Sequence, residues 1–140
     1  MFGFELDGET VGTVRVVPMG YGLTLSETLF AQLGTAAPQA RTCDWEVGRL
    51  VLAPEYRSDV GALRHCLLMA LRYGCAHAQI SSLYATCTHA LSRLYRRLGW
   101  EAFANEVPLV GTDKSYTLIR AQAGPLMATL SGQRAAATAQ

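Results

Sequence analysis

Residues 45–63 read WEVGRLVLAPEYRSDVGAL, and the fold turns on where that stretch changes its period. Up to Ala53 it alternates as a buried strand, continuing from Cys43. Trp45, Val47, Arg49 and Val51 share one face, and Glu46, Gly48, Leu50 and Leu52 share the other. Pro54 ends the strand because it has no N–H to donate. Ser58 or Asp59 then caps a helix whose apolar stripe is Val60, Leu63, Leu67, Leu68, Leu71 and Cys75. A strand feeding straight into an amphipathic helix predicts a sheet with that helix laid over one face.

Toward the N-terminus, Phe2 to Leu6 and Thr10 to Val17 alternate as strands around Asp7-Gly8, a strong hairpin signal. Met19 to Arg41 is irregular, punctuated by Gly20, Gly22, Gly34 and Pro38, with a short helix from Ser26 to Leu33 capped by Ser26. Toward the C-terminus, Ala78 to Ala85 reads as a strand. Thr86 or Thr88 caps a second helix with Leu91, Leu94, Tyr95 and Leu98 inward, and Gly99 closes it. Trp100 to Leu109 and Ser115 to Ala121 form a last strand pair turning at Gly111-Thr112-Asp113. Beyond Gln122 the composition shifts to Ala, Gly, Thr and Gln, so one domain over 1–122 followed by a flexible tail over 123–140 is expected. The order predicts an α/β (α+β) domain, a mixed and mostly antiparallel central sheet with helices on both faces.

Composition bounds the function. The 140 residues suffice for one buried core. Half are apolar and 16% are charged, which excludes disorder, and a net charge of +1 excludes a nucleic-acid binder by bulk charge. Arg64, Arg72, Arg93, Arg96 and Arg97 nevertheless fall in one third of the chain, which suits a phosphate-bearing or acidic partner. The four cysteines form no CxxC pair, and reduced thiols in a cytoplasmic protein are expected. Cys87 and His89 lie two apart without a second ligand pair, so no metal is expected. No apolar run approaches the ~20 residues of a membrane span.

Three stretches carry a family resemblance. The junction Val51-Leu52-Ala53-Pro54-Glu55-Tyr56-Arg57, opening into a helix, resembles the strand-to-helix junction that holds the pyrophosphate of coenzyme A in the GNAT acyltransferases. Members carry Gln or Arg there, followed by two glycines. Here Arg57 fits, Val60 and Ala62 replace the glycines, and Gly61 is out of register. Leu94-Tyr95-Arg96-Arg97-Leu98-Gly99-Trp100 is similar to the family's Tyr-x-x-x-Gly-aromatic stretch. Gly12-Thr13-Val14-Arg15, followed by Glu46-Val47-Gly48-Arg49, resembles the Gly-x-x-Arg and Glu-x-x-Arg strands of the acyl-homoserine-lactone synthases and N-acyl amino acid synthases. Tyr84-Ala85-Thr86-Cys87-Thr88 and the 107–116 stretch extend the likeness, which runs from about Gly8 to Arg120.

The resemblance implies an N-acyltransferase whose co-substrate is acyl-CoA or acyl carrier protein, acting on a small-molecule amine. The resemblance assigns donor binding to Leu52, Arg57, Ser58, Val60, Gly61, Ala62 and Thr88, and free amides at a helix N-terminus suit such a donor's phosphate. It makes Glu46 the base or positioner of the attacking amine and Tyr95 the acid for the leaving thiolate. Arg15 and Arg49 orient a carboxylate or carbonyl of the acceptor, or pair with Glu46. The altered glycines and the basic second helix favour carrier protein over coenzyme A. GNAT domains place a strand and one or two helices ahead of the hairpin that begins here at Phe2. The resemblance therefore implies either that the true start lies upstream of Met1 or that the N-terminal elements are shortened, with the 19–41 loop or a homodimer helping to close the pocket. Two other readings stand beside it, an acetyl-CoA acetyltransferase of unknown amine and a non-catalytic module that binds a thioester or a partner.

Overall fold

The computed structural model describes residues 2–6, 9–22, 24–34, 38, 41, 43–56 and 59–132. The element order is β1 (Phe2–Leu6), β2 (Glu9–Pro18), α1 (Leu25–Leu33), β3 (Trp45–Leu52), α2 (Val60–His77), β4 (Ser82–Cys87), α3 (His89–Arg97), β5 (Glu101–Pro108), β6 (Ser115–Gln122) and α4 (Ala123–Leu130), with a 3-10 turn at Pro54–Tyr56 between β3 and α2. The six strands form one sheet in the order β1-β2-β3-β4-β6-β5. Every neighbouring pair is antiparallel except β3 and β4, which run parallel because α2 carries the chain back across the sheet. Asp7-Gly8, the expected hairpin turn, and Arg57 and Ser58 lie outside the described residues.

Alternation sorts the side chains onto two faces. Val14, Val47, Leu83, Ala85, Cys87, Ile119 and Ala121 point to a core shared with Leu63, Leu67, Leu71, Tyr95 and Trp100 of α2, α3 and the turn after it. The opposite face is covered by α1. There Leu29 and Phe30 pack with Met19, Tyr84, Val107 and Leu118, and the Phe30 and Tyr84 rings meet edge to face at 5.2 Å.

The parity expected along β3 does not survive to its end. Thr13 pairs with Val51 while Arg15 pairs with Gly48, so three steps on β3 match two on β2. This bulge at Arg49 and Leu50 resets the alternation. Leu52 is therefore buried in the same core as Val47, and Val51 is 58% exposed. Gly12, opposite Leu52, makes the close approach feasible, since a Cβ there would sit 2.7 Å from the Val51 carbonyl oxygen.

Two further expectations are corrected. Residues 123–130, read as the start of a flexible tail, form α4. Ala123, Leu126 and Leu130 are buried against the main core and the Ala123 N–H donates to Ser81 O at 3.0 Å, so tertiary burial outweighs the weak local signal. The cap of α1 is Thr24 rather than Ser26. Its hydroxyl accepts from the Glu27 N–H, and the Glu27 carboxylate accepts from the Thr24 hydroxyl and from the amides of Gly20 and Gly22. Both glycines adopt the left-handed φ that this tight loop demands.

Candidate active site

The parallel pairing of β3 and β4 is short. Only Trp45↔Leu83 and Glu46↔Tyr84 are paired, although the strands are eight and six residues long. Beyond that point the two strands are no longer paired with each other and part like the arms of a V. Gly48 and Thr86 come two residues after the last pair and share the α1 face with Glu46. On β2, Arg15 pairs with Gly48 and Val17 with Glu46, which puts them on that face as well. Thr24 and Leu25 of the α1 start close the far wall. The result is a cleft of about 220 Å³ lined by Arg15, Val17, Thr24, Leu25, Glu46, Gly48 and Thr86, below the ~300–1,000 Å³ of pockets that enclose drug-sized ligands.

Glu46 is 8% exposed and still keeps its carboxylate partnered. Its Oε2 accepts from the Ser26 N–H at 2.8 Å, in the first turn of α1. The positive end of the helix dipole favours a carboxylate at that place. The Ser26 hydroxyl lies 2.8 Å from Thr86 Oγ1, so the same residue ties α1 to β4. Helix α1 is fixed at its other end by Gln32, whose amide donates to Pro108 O at 2.7 Å and accepts from the Val110 N–H at 3.2 Å. Arg15 is half-buried in the cleft, and among the described residues no ion pair joins it to Glu46 or to any other carboxylate. The Arg49 backbone lies in the bulge, and its side chain falls outside the described residues.

The remaining candidates are not gathered at this cleft. Tyr95 is 1% exposed in the core of the opposite face, with its ring edge to face on Trp100 at 5.1 Å. Burial, reinforced by Cys87 and Cys66 nearby, pushes its phenol well above the ordinary tyrosine value, which makes it a reluctant proton donor. The geometry thus gives Tyr95 a packing role. Thr88 caps α3 by accepting from the Leu91 N–H at 3.3 Å. At the start of α2, Asp59 is the cap and accepts from the Ala62 N–H at 3.1 Å. That amide is engaged, and a carboxylate already stands at the helix N-terminus. Leu52 is a core side chain.

Gly48 and Thr86 line the cleft and Ser26 braces it, and no sequence expectation assigned any of the three to chemistry. The one local cue was the Thr24-x-x-Glu27 capping box, which fixes where α1 begins and so where the Ser26 amide points.

A mixed six-stranded sheet with a single short parallel pair and a strand-to-helix turn beside it is a GNAT-like fold. Comparison with known proteins narrows this. The family described as N-acyl amino acid synthase FeeM matches residues 1–122, and the chain belongs to that family of N-acyltransferases. Among solved structures it is similar to the acyl-homoserine-lactone synthase LasI, with 19% identity over 91% of this chain and 66% of LasI and a TM-score of 0.66. It is similar to TofI in a ternary complex with an inhibitor and MTA, at 20% identity, 91% and 65% coverage and a TM-score of 0.64. The CoA-dependent acyl-homoserine lactone synthase BjaI, with SAM and isopentyl-CoA, aligns at 13% identity, 93% and 61% coverage and a TM-score of 0.63. At such identities the likeness is one of fold, and the chain spans a little under two thirds of each of these proteins. No curated protein sequence matches it. No helix among the described residues is long and apolar enough to cross a membrane.

Proposed function

We propose that this chain transfers an acyl group from a thioester to the amine of an amino acid or a related small molecule. The observation that carries this reading is that one small cleft holds both Glu46 and an Arg15 without a carboxylate partner among the described residues. An amino acid presents an amine and a carboxylate a few ångströms apart. Arg15 suits the carboxylate and Glu46 suits the amine. The amine nitrogen adds to the thioester carbon, Glu46 takes the proton that the nitrogen sheds, the C–S bond breaks, and the proton leaves with the thiol. General-base assistance of this kind contributes roughly 10²–10⁴-fold.

Carrier protein is the donor this reading favours. A pyrophosphate at the start of α2 would meet the Asp59 carboxylate, and like charges at a helix N-terminus repel. Arg93, Arg96 and Arg97 are exposed on α3 and edge a surface hollow with Trp100, Glu101 and Ala102, a surface that attracts an acidic protein. Acyl-CoA is the second reading, favoured by the fold likeness to the CoA-dependent BjaI. On this reading the acyl chain would pass between β3 and β4 to an apolar gap in the core of the other face, lined by Val16, Val47, Leu67, Leu71, Leu83, Trp100 and Leu126. That gap measures about 10 Å³, so a chain must spread its walls.

The test incubates the protein with octanoyl-carrier protein, octanoyl-CoA or acetyl-CoA, each with a mixed amino-acid pool, and follows products by mass spectrometry. The expected product is an N-octanoyl amino acid formed from the carrier protein. Consumption of acetyl-CoA alone moves the chain to the acetyltransferases, and binding without turnover marks a thioester-binding module.

A further inference from the structure

The cleft contains a hydroxyl pair that the roles of Glu46 and Arg15 do not use. Ser26 Oγ and Thr86 Oγ1 are 2.8 Å apart, and either atom is able to donate. Burial decides which one does. Ser26 is 0% exposed, and a buried O–H left without an acceptor costs on the order of 1–3 kcal/mol. Among the described residues, the acceptor within reach of the Ser26 hydroxyl is Thr86 Oγ1. Ser26 therefore donates and Thr86 accepts. The Thr86 hydrogen is left over, on a half-buried residue that lines the cleft.

The order of the strands says where that hydrogen is useful. Across the cleft run Arg15 on β2, Glu46 and Gly48 on β3, and Thr86 on β4. Resting on the acyl-transfer reading, the acceptor's carboxylate lies at the Arg15 end and its amine beside Glu46. The thioester carbon then sits in the V, with β4 as the wall beyond it. We infer that Thr86 is the residue that donates a hydrogen bond to the thioester carbonyl oxygen and stabilises the oxyanion formed there. When the amine nitrogen bonds to the carbon, the carbonyl π electrons move to oxygen, where the Thr86 O–H meets them. When the oxyanion collapses, the C–S bond breaks and the thiol leaves with the proton that Glu46 held. Ser26 is a positioning residue for both partners. Its N–H fixes Glu46 and its hydroxyl aims Thr86.

The experiment compares wild type with Thr86→Val, Thr86→Ser and Ser26→Ala. It uses octanoyl-carrier protein labelled with ¹³C at the carbonyl and the amino acid that wild type consumes. Thr86→Val keeps the β-branched shape, and its melting curve by circular dichroism checks folding. Its kcat is expected to fall roughly a hundred- to a thousand-fold, the loss typical of one oxyanion donor, with both KM values nearly unchanged. Thr86→Ser restores most of the rate, and Ser26→Ala, which retains the backbone N–H for Glu46, loses less than Thr86→Val. The infrared band of the bound thioester carbonyl lies at lower frequency in wild type than in Thr86→Val. A folded Thr86→Val with wild-type kcat, or a loss that Thr86→Ser does not rescue, overturns the inference alone. A wild type that turns over no thioester overturns the acyl-transfer reading and this inference with it.

Discussion

Gly48→Ala probes the cleft floor, where stability and activity respond differently. Gly48 pairs with Arg15, and a Cβ built on it lies 3.3 Å from Glu46 Oε1 and 3.9 Å from the carboxyl carbon. The first distance is short of comfortable carbon–oxygen contact by a few tenths of an ångström. Glu46 is not free to retreat, because its other oxygen is held by the Ser26 N–H at 2.8 Å, so the carboxylate yields by pivoting about that bond. A pivot of about 30° off a preferred rotamer costs about 0.5–1.5 kcal/mol. Replacing glycine in a strand returns about 0.4–1 kcal/mol by restricting the unfolded chain. The two nearly cancel, and urea unfolding is expected to shift by less than about 1 kcal/mol. Catalysis has no such compensation. A misplacement of about 1 Å costs on the order of 10²-fold, so a few tenths of an ångström plus a methyl group on the floor predict roughly a tenfold loss in kcat/KM for the acceptor. Initial rates against acceptor concentration, measured beside the unfolding curve, check both halves. Wild-type kcat/KM in a variant of wild-type stability would refute the contact between this floor and the acceptor.

Tyr95→Phe is expected to leave kcat unchanged in the octanoyl-transfer assay, because the phenol is sealed in the opposite core; a ~10²-fold loss, as for a general acid, would contradict this. Leu126→Ala is expected to cost about 2–5 kcal/mol in urea unfolding, since Leu126 is 3% exposed on the inner face of α4; an unchanged midpoint would mean that α4 is not docked. Stability is also expected to fall at alkaline pH. Burial pushes the Cys66 thiol up to about 11 and the Cys87 thiol up to about 12 from an ordinary 9.0. The folded state therefore keeps protons that the unfolded chain releases, and this stabilisation is complete below pH 9 and lost as pH rises through 11 and 12. The urea midpoint should drop across that window, less steeply in Cys87→Ala, and a flat profile would show the thiols to be in contact with water.

Much of the fold was legible because it is written in local periods. The 45–53 strand, the stripe from Val60 to Cys75 and the pair ending in Ser115–Gln122 all announce themselves in short windows. The bulge at Arg49 and Leu50 was not legible, because it exists only in the register with β2, some 35 residues away in sequence. Helix α4 carries no side-chain cap, and Gly124 and Pro125 dilute its signal, so only the surface waiting for Leu126 and Leu130 makes it helical. The same division holds at the cleft. Arg15 and Glu46 are each set by a strand motif. Ser26 and Thr86 enter through contacts spanning 20 and 60 residues, which no spacing rule anticipates. Tyr95 shows the reverse, a motif position whose surroundings favour packing.

The central claim is that Glu46 takes the amine's proton, and Glu46→Gln tests it most directly. Glutamine keeps the shape and still offers an oxygen to the Ser26 N–H, so the cleft survives while its base is removed. The measurement is single-turnover octanoyl transfer from carrier protein to the amino acid, across a pH series, with donor binding followed in parallel. The account predicts a rate lower by roughly 10²–10⁴-fold, unchanged donor affinity, and partial recovery as rising pH deprotonates the free amine. A Glu46→Gln enzyme that transfers octanoyl at the wild-type rate would contradict it.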